Sequence, residues 1–295
     1  MQRMDEKHTF PLAGHPVRRV GYGAMQLPGP HVMGPPRDHD EAVAVLRRAV
    51  ELGVDHIDTA QYYGPDVANE LIREALHPYP DDLVIVSKVG AVRDARGGWP
   101  PAQRPEQLRQ GVEDNLRTLK VERLGAVNLR LLAAEELPEG TDPVPYEDQL
   151  AEMVALRDEG KIDGVGVSNA TLEQVETAIG SAGITCVQNP FSLVDRHDTA
   201  VLDRCAEAGI AYVPFFPLGS AFPGLPKVVD DPVVQRVAER TGATDAQVGL
   251  AWLLAHRENI LLIPGTSRVE HLEANLAVAE LRLPDDALAE LDAVS

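Results

Sequence analysis

Short apolar runs alternate along the chain with stretches in which apolar residues return every three to four positions. The first pattern reads as buried strand and the second as amphipathic helix. Strands are predicted at 19–24, 56–59, 83–89, 126–131, 164–168, 186–189, 211–216 and 260–264. Helices are predicted at 40–52, 67–76, 105–119, 146–158, 172–179, 199–208, 233–241, 245–256 and 269–279. Pro105 suits a first helical turn, and Gly53, Gly160 and Gly209 stand where a left-handed residue ends a helix. Strand followed by helix, eight times over, implies parallel pairing through right-handed crossovers. The expected fold class is α/β, a single (β/α)8 TIM barrel spanning 1–295, with an open doubly wound sheet as the alternative. Outside the repeat, 9–18 reads as an N-terminal β-hairpin turning at Gly14 that plugs the barrel bottom, and 284–294 as a C-terminal extra helix. The long Gly- and Pro-rich loops 27–38, 90–104, 133–145 and 218–231 all follow strands, so in a barrel they overhang the face that carries active sites.

Composition narrows the partners. The chain has 46 acidic and 27 basic side chains and a net charge of −19. That surface repels phosphate backbones and anionic lipid, so neither nucleic acid nor membrane is an expected partner. No run of apolar residues is long enough to span a bilayer, and the charged N-terminus lacks an apolar leader segment. The two cysteines, Cys186 and Cys205, do not make a disulfide framework. The expectation is a cytoplasmic protein that uses a small molecule, with no resident metal and an oligomeric state left open.

Three predicted strands end in, or just before, chemistry. Asp58 and Tyr63 belong to Asp-Thr-Ala-Gln-Tyr-Tyr-Gly at 58–64, Lys88 to Ser-Lys-Val-Gly at 87–90, and Arg130 to Val-Asn-Leu-Arg at 127–130. A carbonyl that receives hydride builds negative charge on oxygen, and a positioned acid lowers that barrier by roughly 10²–10⁴ in rate. A phenol is a weak acid, with a reference pKa of about 10, and a lysine beside it favours the ionised form. A carboxylate can hold that lysine. Asp58, Tyr63 and Lys88 fit the three roles, which points to carbonyl reduction rather than hydrolysis.

These segments resemble the aldo-keto reductase superfamily, whose pattern reads Asp-Thr-Ala-x-x-Tyr-Gly followed by a strand ending in Lys. The likeness extends over nearly the whole chain: Gly-Tyr-Gly-Ala-Met at 21–25 resembles its first strand, Gly-Val-Gly-Val-Ser-Asn at 164–169 its fifth, and Ile-Pro-Gly-Thr-Ser-Arg at 263–268 with Asn275 its dinucleotide phosphate and adenine site. The resemblance implies NADPH lying across the barrel mouth, and there is no Gly-x-Gly-x-x-Gly after a strand to support a Rossmann site. It implies Gly23, Ala24, Met25, Asp58, Pro217, Leu218 and Gly219 as cofactor-binding residues, Ser168, Asn169 and Gln188 on the nicotinamide carboxamide, and Phe215 stacked on the nicotinamide ring. Ile263, Gly265, Thr266, Ser267, Arg268, His271 and Asn275 would hold the adenosine end, with Arg268 on the 2′-phosphate, a partner that a guanidinium suits.

One departure stands out. The superfamily usually carries a histidine at the end of its fourth strand, and this chain has none between His77 and His197. Arg130 takes that place. Arginine has five donors and no acceptor, so it cannot relay a proton, but it can orient a carbonyl and stabilise charge on it. Asn-Leu-Arg at 128–130, Gly-Pro-Pro-Arg at 34–37 and Phe-Phe-Pro-Leu-Gly at 215–219 are similar to a bacterial subgroup that includes pyridoxal reductases. The implied activity is NADPH-dependent reduction of an aldehyde or ketone, pyridoxal or another small aromatic aldehyde. The alternatives are a non-catalytic NADP(H)-binding regulatory subunit and a barrel enzyme for phosphorylated sugars.

Plainer roles compete at each position. Arg130 could be a barrel-mouth ion pair, Arg268 a solvated helix-start charge, and Trp99 a loop anchor rather than a pocket wall. His56 shares strand parity with Asp58 and reads as a hydrogen-bonded core residue. Tyr62 adjoins Tyr63, and the register of Gly64 selects the latter as the acid.

Overall fold

A computed structural model describes residues 9–132, 137, 142–219 and 225–294. Parts of two loops, 133–145 and 218–231, fall outside that set. The hairpin is present: β1 (Thr9–Leu12) pairs antiparallel with β2 (His15–Arg18) in the register Thr9↔Arg18. The following strands are β3 (Tyr22–Gly23), β4 (His56–Asp58), β5 (Val84–Ala91), β6 (Pro101–Ala102), β7 (Leu124–Arg130), β8 (Ile162–Ser168), β9 (Cys186–Gln188) and β10 (Ala211–Tyr212). The order β10-β9-β8-β7-β5-β4-β3 is parallel throughout. Residues 260–262 join its two edges. Tyr212 bridges Ile260 and Val20 bridges Leu262, both parallel, so the pairing runs round a closed path.

The helices sit between the strands. They are α1 (His39–Glu51), α2 (Val67–Leu76), α3 (Pro105–Leu119), α4 (Tyr146–Asp158), α5 (Leu172–Ala182), α6 (Thr199–Glu207), α7 (Pro232–Thr241), α8 (Asp245–His256), α9 (Val269–Leu276) and α10 (Asp285–Asp292). Local chemistry sets their starts. Asp38 accepts from the Glu41 amide to begin α1, and Thr171 and Thr244 form reciprocal capping boxes with Gln174 and Gln247. Pro232, with Asp231 as cap, starts α7 one residue before the predicted position. Gly53, Gly160 and Gly209 all adopt positive φ.

Strand parity explains the interior. Leu12 and Val17 of the hairpin pack with Val84, Val86, Ala126, Cys186, Ala211, Val213 and Leu261 in one cluster inside the ring. The alternate residues (Tyr22, Ile57, Ile85, Val127, Leu129, Val165, Val167, Val187) join the larger core under the helices. Moving two residues on from Val86, Ala126 and Cys186 reaches Lys88, Asn128 and Gln188, and Arg130 and Ser168 share the register of Gln188 toward the C-terminal strand ends.

Several predicted boundaries move: α5 runs on to Ala182, and the run predicted as a strand at 260–264 pairs only through single bridges. The first strand stops at Gly23, because Ala24–Gln26 turns as a 3₁₀ segment. The 211–216 run keeps strand pairing over two residues, and Phe216 takes φ +54°, which breaks the extended backbone. The helix predicted to end at 279 ends at Leu276 and continues as a 3₁₀ turn. The loop 90–104 is partly sheet, since β5 runs on to Ala91 and pairs antiparallel with β6.

Candidate active site

Asp58, at the end of β4, is bound through both oxygens. Lys88 Nζ donates to Oδ1, and Gln188 Nε2 donates to Oδ2 at 2.9 Å. Lys88 also donates to the Thr59 carbonyl at 3.2 Å. The pair is deeply enclosed, with Lys88 7% and Asp58 4% exposed. Lys88 Nζ lies 5.2 Å from the centroid of the Tyr63 ring, so acid, amine and phenol converge as the sequence implied. Tyr63 is delivered by a turn in which its amide bonds to Ala60 and its carbonyl accepts from Ala68. Gly64 makes the turn possible: its φ is +111°, and a Cβ there would run into Val67. No described residue bonds to the Tyr63 hydroxyl.

A polar network behind the sheet fixes Asp58 and Lys88. Thr59 donates to Asn69 Oδ1 at 2.8 Å, and Ser87 donates to Asn115 Oδ1 at 2.6 Å. Asn69 Nδ2 spans to Asn115 and Thr118, both at 2.9 Å. The residues beside the two catalytic candidates are thereby tied to α2 and α3. The sequence reading missed this network, because Asn69 and Asn115 look like ordinary polar positions on helix surfaces.

Arg130 stands in register with Ser168, which pairs in turn with Gln188. Its carbonyl accepts from Gln103 Nε2 at 3.0 Å. Glycine at 90, φ +101°, lets β5 pass close by, since a Cβ there would lie 2.5 Å from that same carbonyl. Arg130 Nη1 is buried without a hydrogen-bond partner, as is the Tyr62 hydroxyl.

The electrostatics revise one expectation. Burial pushes the Tyr63 phenol well above its ordinary range, and the Asp58 carboxylate adds to the rise. Arg130 is the cation that pulls it down. The charge of Lys88 is engaged by Asp58, and Arg130 is the cation whose pull on the phenol is resolved. Tyr62 is raised too, chiefly by burial.

Trp99 meets Tyr62 and Tyr63 edge-on, with centroids 5.3 and 6.2 Å away, so it borders the site as a wall. Arg93 lies over the Trp99 ring at 3.9 Å and donates to the His31 carbonyl at 2.7 Å. Its Nε contacts Met33 Sδ at 3.1 Å. His56 is buried beneath Asp58, 3.4 Å from Asp55 through Nδ1, with Nε2 unpartnered; the core placement holds and the hydrogen bonding is weaker than expected.

The remaining predicted residues gather at two places on the same rim. Gly23 and Gly265 touch backbone to backbone, and Tyr22 donates to the Thr266 carbonyl, so Gly23–Met25 and 263–268 are neighbours. Asn169, at φ +57°, follows Ser168, and its amide bonds to the Gln188 carbonyl. Phe215 bridges Pro190, and Phe216–Gly219 forms a turn closed by the Gly219 amide on the Phe216 carbonyl at 2.9 Å. Arg268 caps α9 and is largely exposed, with a loose 3.4 Å contact to Glu270. His271 and Asn275 lie a helical turn apart on α9. Glu41 of α1 accepts from the Val269 amide at 3.1 Å, a carboxylate at the start of α9 that no sequence pattern announced.

A chain with this ring of strands and this acid–amine–phenol centre matches the Aldo/keto reductase family model over residues 19–295, and it belongs to that family. Among curated proteins it is 47% identical over 288 residues to a pyridoxine 4-dehydrogenase of Escherichia coli, covering 98% of each chain. It is 37% identical over 277 residues to an uncharacterised oxidoreductase of Schizosaccharomyces pombe, covering 94% of this chain and 86% of that one. A crystal structure of a thermostable aldo-keto reductase with the inhibitor epalrestat superposes with a TM-score of 0.81 at 29% identity, covering 97% and 99%. One of an aldo/keto reductase from Klebsiella pneumoniae with NADP and acetate gives 0.79 at 25% identity, covering 97% and 94%. Among the described residues, no helix is long and apolar enough to cross a membrane.

Proposed function

We propose that this chain is a single-domain (β/α)8 barrel, cytoplasmic, that uses NADPH to reduce a small aromatic aldehyde of the pyridoxal type to its alcohol. The observation that carries the reading is the convergence of Asp58, Lys88 and a Tyr63 hydroxyl that no described residue bonds, at the strand ends. The pyridoxine 4-dehydrogenase relative supports the substrate class. The NADP complex of the Klebsiella relative supports the cofactor.

The residues present fit a nicotinamide dinucleotide. Gln188 uses its amide nitrogen on Asp58 and leaves its carbonyl for a carboxamide donor, beside Ser168 and Asn169. Phe215 would stack on the ring. Gly23, Ala24 and Met25 face the 263–268 segment, and Met25 is an exposed apolar side chain at that rim. Pro217, Leu218 and Gly219 would line the pyrophosphate path. Ile263, Gly265, Thr266, Ser267, His271 and Asn275 would hold the adenosine, with Arg268 on its 2′-phosphate. NADPH supplies the hydride.

Tyr63 donates its proton to the carbonyl oxygen as the carbonyl carbon gains that hydride, so the C=O π pair ends as an O–H bond. The aldehyde is reduced and NADPH oxidised. Arg130 steadies the negative charge growing on oxygen and on Tyr63 as the proton leaves. Lys88 and Asp58 hold Tyr63 in place. The test is Tyr63→Phe, assayed by NADPH oxidation with a panel of aldehydes and by fluorescence titration of NADPH. Turnover falls by roughly 10²–10⁴ while NADPH binding persists. Near-normal turnover in that variant overturns the assignment.

A further inference from the structure

Two donors are shut off from water without acceptors among the described residues: Arg130 Nη1 and the Tyr62 hydroxyl. Tyr62 packs edge-on against Tyr63, and Arg130 ends β7 in register with Ser168, its charge acting on both phenols. A guanidinium stays charged at every working pH. No carboxylate among the described residues neutralises this one. The residue is only half-buried, but its Nη1 is shut off from water with no acceptor among the described residues, and it gains most from a ligand that brings negative charge to it. A carbonyl oxygen alone does not: it is neutral, and it is already served by Tyr63.

The fork geometry asks for two oxygens side by side. A flat ring bearing an oxyanion on the carbon next to a formyl group presents both oxygens along one edge. Aromatic side chains stand beside Tyr63. Tyr62, Tyr63 and Trp99 meet edge to face, at 5.5 Å between the two tyrosines, and Arg93 holds Trp99 from behind. There is also a chemical reason. A neighbouring oxyanion feeds electrons into the carbonyl and slows hydride addition, and a guanidinium bound to it withdraws them again.

We propose, building on the carbonyl-reductase reading above, that Arg130 with Tyr62 beside it selects aromatic aldehydes carrying an ionised hydroxyl on the ring carbon next to the formyl group. Arg130 then determines specificity as well as stabilising charge.

The experiment compares 2-hydroxybenzaldehyde, 2-methoxybenzaldehyde and benzaldehyde as substrates, with NADPH, for the natural protein, Arg130→Gln and Arg130→Lys. The readout is the ratio of kcat/KM between hydroxy and methoxy substrates within each protein, so a general loss of activity cancels. The natural protein prefers the hydroxy substrate by roughly 10–100-fold, mostly in KM, and the ratio climbs with pH as the substrate phenol ionises. Arg130→Gln brings the ratio close to one, and Arg130→Lys, which keeps charge but loses the fork, falls between. The pH arm uses the natural protein alone, so it decides the matter even where a variant does not fold. A ratio near one above the substrate phenol's pKa, or a preference that survives in Arg130→Gln, overturns the inference and leaves carbonyl reduction standing. No turnover of any aldehyde with NADPH bound overturns both.

Discussion

Replacing Asp58 by Asn removes one charge from an enclosed pair and leaves its partner behind. Lys88 would retain the Thr59 carbonyl as an acceptor, but it would be a cation buried at 7% exposure with no carboxylate. Gln188 Nε2 would face an amide in place of a carboxylate oxygen. Breaking one side of such a pair costs about 3–5 kcal/mol, most of it the penalty of the stranded charge. For a chain of this length that is a fall of about 6–10 °C in Tm, taking about 2 °C per kcal/mol. Urea unfolding gives the value directly, as a lower midpoint at unchanged slope. The companion variant Asp58→Asn/Lys88→Met removes both charges. It recovers most of the lost stability while remaining inactive, since the cation beside the Tyr63 ring is gone. A single-variant loss under about 1 kcal/mol, or a double variant no more stable than the single, refutes the claim that the pair is held by mutual neutralisation in a low-dielectric site.

Other outcomes are equally direct. Arg268→Ala raises KM for NADPH roughly tenfold or more and leaves KM for NADH nearly unchanged, measured with one aldehyde; equal losses dismiss the 2′-phosphate role. Glu41→Gln removes a carboxylate from the start of α9 and so tightens NADPH binding in a fluorescence titration, more at low salt than at high salt. Burial holds the His256 imidazole, stacked on Trp252 at 4.6 Å, below its ordinary range. The unfolded state therefore takes up a proton first as pH falls, and stability drops as pH goes below about 6.5. His256→Phe flattens the unfolding midpoint across that window, and an unchanged slope rejects the assignment.

Much of the architecture could be read from spacing, for reasons visible in particular residues. Two-residue parity put Asp58 above His56 and Lys88 above Val86, and the pairing keeps that parity. The register of Gly64 in the Asp-Thr-Ala-x-x-Tyr-Gly pattern put Tyr63 forward as the acid, and Gly64 takes a positive φ in the turn. What escaped was contact between distant segments. Glu41 and Val269 are 228 positions apart, and nothing local in either marks the meeting. The β5–β6 ribbon hid in a Pro- and Gly-rich stretch that reads as loop. The shift of the Tyr63 phenol escaped too. The sequence pattern names the neighbouring cations and the carboxylate that holds Lys88, but desolvation appears only once depth is known.

Arg93 reaches from the stretch after β5 to the backbone at 31–32 while lying flat on Trp99. Two overhangs, 27–38 and 90–104, are thereby riveted together on one side of the mouth. Engineers who transplant either overhang alone from a relative would sever that rivet and unseat the tryptophan. A chimera that exchanges both, with the arginine between them, keeps the wall intact, so substrate preference in this fold should be inherited by pairs of loops rather than one at a time.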